Sequence, residues 1–182
     1  MKNRLKNVIE SLIFISLEPL TLDKIKDILK EFPEKEIEKA VEELLTGYNS
    51  NDRGIQILQS AGGFLFSTRS EYDSYVRRLL RSERKYRLSP ASLETLSIIA
   101  YHQPVTLAEI SAIRGVDSSH TLKTLLEKKL IKISGRKKAP GKPLLYRTTD
   151  KFLIYFGLNS LKELPTEEEI ESLLEEEEQL EE

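Results

Sequence analysis

The sequence predicts a mainly helical α+β protein with two tandem winged-helix domains and an acidic C-terminal tail. The order helix, helix, helix, hairpin, helix can be traced twice along the 182 residues. A shift of 85 residues places Pro19 on Pro104 and Thr21 on Thr106, with apolar positions matched around them. The predicted bounds are 1–83 for the first domain, 84–164 for the second and 165–182 for the tail.

The first domain opens with a helix, because apolar residues recur at helical spacing at Leu5, Val8, Ile9, Leu12 and Ile13. Pro19 ends this helix, since the residue before a proline avoids the helical region. Thr21 is predicted to cap a second helix, and Pro33 stands in the first turn of a third.

The apolar period then changes from helical spacing to two. Residues 55–66 read as a β-hairpin around Ala61-Gly62-Gly63. A helix from about Ser70 to Leu80 closes the domain, and a charged linker follows over 81–88.

The second domain repeats these signals. Ser89-Pro90 caps a helix that stops at Gln103-Pro104, Thr106 caps the next helix, and Gly115 ends it. A third helix is predicted over 118–129. The strands 131–134 and 144–148 flank a basic loop, and Asp150 begins the closing helix.

Charge is distributed unevenly along the chain. Residues 87–165 hold 13 basic and 6 acidic side chains, whereas 166–182 hold no base and 10 acids. The tail could screen the basic segment from phosphate or keep the protein soluble.

Composition and motifs argue against an enzyme. The chain has no Cys and two His, without a nucleophile–base spacing, a phosphate-cradling glycine loop or a metal-ligand set. No catalytic residue, cofactor or metal is therefore expected. The lack of a signal peptide or membrane-length apolar stretch predicts a cytoplasmic protein.

The basic loop is a candidate phosphate contact, because a winged-helix wing often touches the DNA backbone. Its six cations are Lys132, Arg136, Lys137, Lys138, Lys142 and Arg147. The helix 118–129 has no Arg, Asn or Gln for bidentate base contacts, which argues against sequence-specific reading. Weak backbone contact, a solvated wing and a wing facing an acidic partner all stay open, as does a DNA-binding regulator.

The first helix is apolar enough to bury a second side. Ile13, Phe14 and Ile15 near its end are therefore predicted to form a self-association surface.

From Leu88 to Pro165 the sequence resembles the segregation and condensation protein B family, the winged-helix subunit of the bacterial condensin-like complex. The resemblance is carried by ETLSIIAYHQP, IRGVDSS, GRKKAPGKPLLYRTT and FLIYFGL. The N-terminal half resembles the family more loosely, through IESLIFISLEPLTLDKI and GIQILQSAGGFLFSTR.

This resemblance implies a homodimer that binds the middle region of the kleisin ScpA and, through it, the ATPase of the SMC type. It implies a role in chromosome condensation and segregation, with nucleoid association through that complex. The kleisin contact is expected on the second domain, where Tyr is favoured at binding surfaces, around Tyr101, Val116, Leu122, Leu126 and Tyr146.

Overall fold

The computed structural model describes residues 2–50, 53–80, 88–166, 168–170 and 172. We call the described residues from 2 to 80 the N-terminal lobe. Its elements are α1 (Lys2–Ile15), β1 (Leu20–Thr21), α2 (Leu22–Ile28), α3 (Glu34–Asn49), β2 (Ile55–Ser60), β3 (Gly63–Thr68), a 3-10 turn (Ser70–Tyr72) and α4 (Asp73–Leu80).

Residues 88–166 form what we call the C-terminal lobe. Its elements are α5 (Pro90–His102), β4 (Val105–Thr106), α6 (Leu107–Arg114), α7 (Ser119–Glu127), β5 (Ile131–Arg136), β6 (Leu144–Thr148), α8 (Asp150–Phe156) and a 3-10 turn (Leu161–Glu163). The α-helices and strands of the two lobes therefore follow the same order, and only the 3-10 turn differs, since it precedes α4 but follows α8.

Each lobe contains a three-stranded antiparallel sheet, with strand orders β1-β3-β2 and β4-β6-β5. The edge strands β1 and β4 are two residues long and directly precede α2 and α6. Sequence periodicity did not predict them, because two residues are too few to show an alternation.

Each lobe has its own hydrophobic core. In the N-terminal lobe, Ile9, Ile25 and Ile57 bring α1, α2 and β2 together. In the C-terminal lobe, Ile99, Ile110 and Leu125 do the same for α5, α6 and α7. The helical faces predicted from apolar spacing are the faces that pack inward.

The predicted helix caps are confirmed. The Thr21 hydroxyl accepts a hydrogen bond from the Lys24 N–H at 3.3 Å, and the Thr106 hydroxyl accepts one from the Glu109 N–H at 3.3 Å. Ser89 caps α5 with Pro90 in its first turn, and Gly115 follows α6 with a left-handed φ of 72°.

The lobes differ most in the hairpin. Ala61 and Gly62 alone join β2 to β3, both at positive φ, whereas seven residues, 137–143, join β5 to β6. The register of β5 against β6 also shifts between Ile133 and Gly135, and β5 runs two residues beyond the predicted strand.

The prediction of a protein with helices and small sheets is confirmed. The predicted linker residues 81–87, and the tail apart from 165, 166, 168–170 and 172, lie outside the described residues. Within the described ranges, no helix combines the length and apolar character that crossing a bilayer requires.

Candidate functional site

The C-terminal end of α1 and the residues directly after it carry an exposed apolar surface. Phe14 is 72% exposed, Ile15 74% and Leu17 102%. We call these three residues the α1 surface. Ile13, predicted to share it, is instead 1% exposed in the core, because it lies one helical turn beyond the buried Ile9. That part of the prediction is wrong.

A groove of about 470 Å³ runs beside the α1 surface, lined by Glu10, Ser11, Phe14, Ile15, Tyr48, Ile55 and Phe66. The Phe66 ring meets the Phe14 and Tyr48 rings edge-on, at centroid distances of 6.1 and 4.9 Å. These ring contacts brace the groove from α1, α3 and β3, so its apolar wall is formed within one lobe.

A polar bond joins two of the residues that line this groove. The Tyr48 hydroxyl donates a hydrogen bond to Glu10 Oε1 at 2.5 Å. This bond to a carboxylate, together with partial burial, raises the pKa of Tyr48. The tyrosine thus stays a neutral donor that ties α3 to α1.

A second groove, of about 500 Å³, lies in the C-terminal lobe between α6 and β6. Its lining residues are Leu107, Ala108, Ser111, Asp117, Pro143, Leu144 and Tyr146. We call it the α6–β6 groove. From the sequence, Leu144 is predicted only as the first residue of a strand.

The five residues predicted for the kleisin contact do not form one surface. Tyr146 lines the α6–β6 groove but is buried, and Val116, which is 55% exposed, adjoins the groove residue Asp117. Leu122 is buried in the core, and Leu126 is half-buried against it. Leu122 and Tyr146 are therefore corrected from exposed contacts to core residues, because α7 and β6 turn them inward.

Tyr101 lies at the carboxyl end of α5 and does not line this groove. It is 44% exposed, and its hydroxyl donates a hydrogen bond to the Pro165 carbonyl at 2.8 Å. The hydroxyl thus anchors the start of the C-terminal segment on this lobe.

The six cations of the basic loop and its strands are all exposed. Lys132 and Arg147 lie directly opposite each other across β5 and β6. Like charges in that position repel each other, so the pair favours an anion on its face of the sheet. The loop has internal order, since Lys137 N–H donates to the Pro143 carbonyl at 2.8 Å and Arg136 Nη1 to the Lys142 carbonyl at 3.0 Å.

Within the part of the chain that the structure describes, and unlike the other five cations of the basic loop and its strands, Lys137 is paired with a carboxylate of its own lobe. Its ammonium group pairs with the Glu109 carboxylate, which also accepts hydrogen bonds from the Thr106 N–H and hydroxyl. Lys137 first, and then the Thr106 donors, lower the pKa of Glu109 to about 2. The loop 137–143 between β5 and β6, which we call the wing, is thereby fastened to the first turn of α6.

The two histidines, His102 and His120, are both exposed. Within the described residues, no group of three or more His, Asp and Glu side chains is arranged to hold a metal ion. The geometry of the lobes is that of grooves and exposed patches, which suits contact with other macromolecules.

Comparison with known proteins adds a family. The model of the segregation and condensation complex subunit ScpB matches residues 7–167. Segregation and condensation protein B of Clostridium acetobutylicum is 44% identical over 171 residues, which cover 94% of this chain and 84% of that protein. The corresponding protein of Symbiobacterium thermophilum is 46% identical over 163 residues, covering 90% and 74% of the two chains.

Solved structures include a dimer of an ScpB N-terminal domain complexed with an ScpA peptide. It is 33% identical and covers 42% of this chain and 95% of its own, with a TM-score of 0.39. The family match spans both lobes and both grooves. The chain belongs to the family of segregation and condensation complex subunit ScpB.

Proposed function

We propose that this protein is a non-enzymatic adaptor that binds the middle region of the kleisin ScpA as a homodimer. Through ScpA it joins the SMC ATPase in chromosome condensation and segregation, in the cytoplasm at the nucleoid. The observation that carries the proposal is the ScpB family match across residues 7–167, which includes both candidate docking surfaces. Each lobe, in this proposal, is a winged-helix domain, with bounds at 1–83 and 84–164.

The experiment is co-expression with the ScpA of the same cell, followed by purification at physiological salt and mass measurement. The expected complex contains two copies of this chain. Failure of ScpA to co-purify would overturn the adaptor function.

The α1 surface is proposed as the dimer contact. Phe14, Ile15 and Leu17 are largely exposed, and a second copy of the chain would remove their apolar area from water. The variant Phe14→Glu/Ile15→Glu is expected to be a folded monomer in light scattering at a concentration where the parent is a dimer. The control is Leu79→Glu, at an exposed leucine of α4.

A parent that is monomeric throughout the micromolar range would contradict the dimer. A Phe14→Glu/Ile15→Glu variant that still dimerises would move the contact to another surface. The same variant is assayed for ScpA binding, because the solved complex with an ScpA peptide involves an N-terminal domain.

The α6–β6 groove is proposed as the kleisin contact in the C-terminal lobe. It combines an apolar wall at Leu107 and Leu144 with the carboxylate of Asp117, so it suits an apolar segment that carries a cation. Val116 lies at its border, and Tyr101 marks a separate part of the same lobe. Leu122, Leu126 and Tyr146 support the groove from the core.

The test is ScpA capture by the variants Val116→Glu and Leu144→Glu, with Leu93→Glu as an exposed apolar control on α5. A loss of at least about tenfold in affinity is expected for the first two, since a buried unpaired carboxylate is costly. Unchanged capture by both would remove the groove from the proposal.

Direct DNA contact is the second candidate, and the Lys132–Arg147 pair is the observation that favours it. We propose weak, non-specific phosphate contact, and not the base reading that a transcriptional regulator needs. Duplex titrations should show affinity that falls steeply with salt and is lowered by Lys132→Gln/Arg147→Gln. Tight, sequence-selective binding at physiological salt would instead favour the regulator.

A further inference from the structure

The β2–β3 turn of the N-terminal lobe touches the residues that follow α8 in the C-terminal lobe. The Ser60 hydroxyl donates a hydrogen bond to the Leu158 carbonyl at 2.9 Å, and the Ala61 N–H donates to the same carbonyl at 3.2 Å. The Gly62 N–H donates to Asn159 Oδ1 at 2.9 Å. Three consecutive residues of one lobe thus bind two consecutive residues of the other.

The donor side is fixed by the shape of the tight turn. Ala61 and Gly62 have φ values of 50° and 75°, which direct their N–H groups away from the strands. Ser60 lies at the very end of the sheet, yet it is only 1% exposed. The other lobe therefore covers this end of the hairpin.

The acceptor side is fixed as well. Gly157 follows α8 with a left-handed φ of 69°, and the Leu158 N–H donates to the Leu153 carbonyl at 2.9 Å. The Leu158 carbonyl is thereby left to face outward. The Asn159 backbone N–H donates to Glu163 Oε2 at 2.8 Å, which fixes the backbone from which the amide side chain reaches the turn.

We propose that residues 60–62 and 158–159 form an interlobe latch that holds the two lobes of one chain in a single relative orientation. The bonds run in fixed directions between two rigid turns, so they define an angle as well as a contact. The α1 surface and the α6–β6 groove are then kept at a set spacing, whatever their partners are. The equivalent hairpin of the C-terminal lobe ends instead in a seven-residue loop.

The latch can be tested by spin-label distance measurement, because the chain has no Cys that would interfere. Labels are attached at Glu42→Cys on α3 and Lys123→Cys on α7, both exposed positions far along the chain from the latch. Labelled chains are diluted with excess unlabelled protein, so only distances within one chain contribute. A single narrow distance distribution is expected.

The variant Ser60→Ala/Asn159→Ala should broaden this distribution, since it removes two of the three bonds. Asn159→Ala alone should broaden it less, and it avoids any change to the buried Ser60. The matched control is Ser97→Ala/Asn7→Ala, which removes the same two side-chain types from exposed helix positions. Circular dichroism checks that each variant remains folded.

Two results would overturn the latch. One is a distribution that is already broad in the parent after dilution, as expected if the contact joins two copies of the chain or does not form in solution. The other is a folded double variant whose distribution is as narrow as that of the control.

Discussion

The N-terminal and C-terminal lobes have the same order of helices and strands, and they differ most in the loop of the β-hairpin. In the first, a two-residue turn makes the end of the sheet compact enough to dock against the other lobe. In the second, a seven-residue loop carries cations into solvent and is fastened to α6 by Lys137 and Glu109. The same scaffold thus serves an internal contact in one lobe and an exposed charged surface in the other, because the two hairpins differ in loop length and in basic residues.

The largest losses of unfolding free energy are expected from substitutions at core positions that are equivalent in the two lobes. Ile25 and Ile110 occupy the same repeat position in α2 and α6, and both are fully buried. Ile25→Ala and Ile110→Ala are each expected to cost about 2–5 kcal/mol of unfolding free energy, through lost burial and a cavity. Hydrogen exchange resolved by lobe would measure each cost separately.

The controls for these substitutions also lie at one repeat position. Ile28→Ala and Ile113→Ala remove exposed side chains of the same two helices, so each should cost less than about 0.5 kcal/mol. Costs at Ile25 and Ile110 that differed several-fold would break the equivalence of the two cores.

A smaller loss of stability should distinguish the sheet of the N-terminal lobe from the sheet of the C-terminal lobe. Gly63 faces Thr21 across β3 and β1, and Leu145 faces Thr106 at the same place in the C-terminal lobe. A Cβ on Gly63 would lie 2.8 Å from the Pro19 carbonyl carbon, so β1 would have to move. Gly63→Ala should therefore cost up to about 3 kcal/mol in urea unfolding.

Leu145→Ala is the matched change, since it leaves an alanine at the equivalent position of the other sheet. It removes a half-buried side chain without forcing the backbone apart, and about 1 kcal/mol is expected. A Gly63→Ala variant as stable as the parent would show that β1 yields easily and that the approach is not a constraint.

The two lobes also differ in the hydrogen bonds made by the residue two positions before each edge strand, Glu18 before β1 and Gln103 before β4. In the C-terminal lobe, Gln103 Oε1 accepts hydrogen bonds from the Thr148 N–H at 2.9 Å and from its hydroxyl at 3.1 Å. Gln103→Ala would leave the buried Thr148 donors without this partner, at a cost of about 1–2 kcal/mol in urea unfolding.

The control for Gln103 is the residue at the same repeat position, the exposed Glu18. Glu18→Ala should change the unfolding free energy by less than about 0.5 kcal/mol. Equal effects at Gln103 and Glu18 would show that the glutamine bonds do not stabilise β6.

The repeat itself could be predicted from the sequence because prolines and cap residues mark element ends directly. Thr21 and Thr106 mark the starts of α2 and α6, and α5 ends directly before Gln103-Pro104, as predicted. The first helix is shorter than predicted, since α1 ends at Ile15, four residues before Pro19. The edge strands were missed because each pairs through only two residues.

The surfaces were predicted less well, for a physical reason. Apolar spacing assigns a residue to a helix face, but Ile13, Leu122 and Tyr146 show that it does not say which apolar residues stay in solvent. The interlobe latch joins residues 97 or 98 positions apart through a hydroxyl and two backbone N–H groups. No local pattern distinguishes those groups from the same groups in any other turn.

The smallest expected effect is a loss of stability at low pH, and it is expected in the C-terminal lobe only. Glu109 has a folded-state pKa of about 2, below its ordinary 4.5, so its contribution to stability is full above about pH 4.5 and is lost as the pH falls through 2. Glu109→Gln keeps a side chain that can complete the cap but cannot pair with Lys137. Because both partners are substantially exposed, it should cost about 0.5 kcal/mol at pH 7, a cost that disappears near pH 2.

The N-terminal lobe supplies the control, since Lys24 occupies the position equivalent to Glu109. Lys24→Gln removes no carboxyl group, so its effect on urea unfolding should stay constant between pH 4.5 and 2. The difference between parent and Glu109→Gln isolates one carboxyl from all the others that protonate in acid. A difference that stayed the same from pH 7 to 2 would mean that the charge of Glu109 does not stabilise the contact between the 137–143 loop and α6.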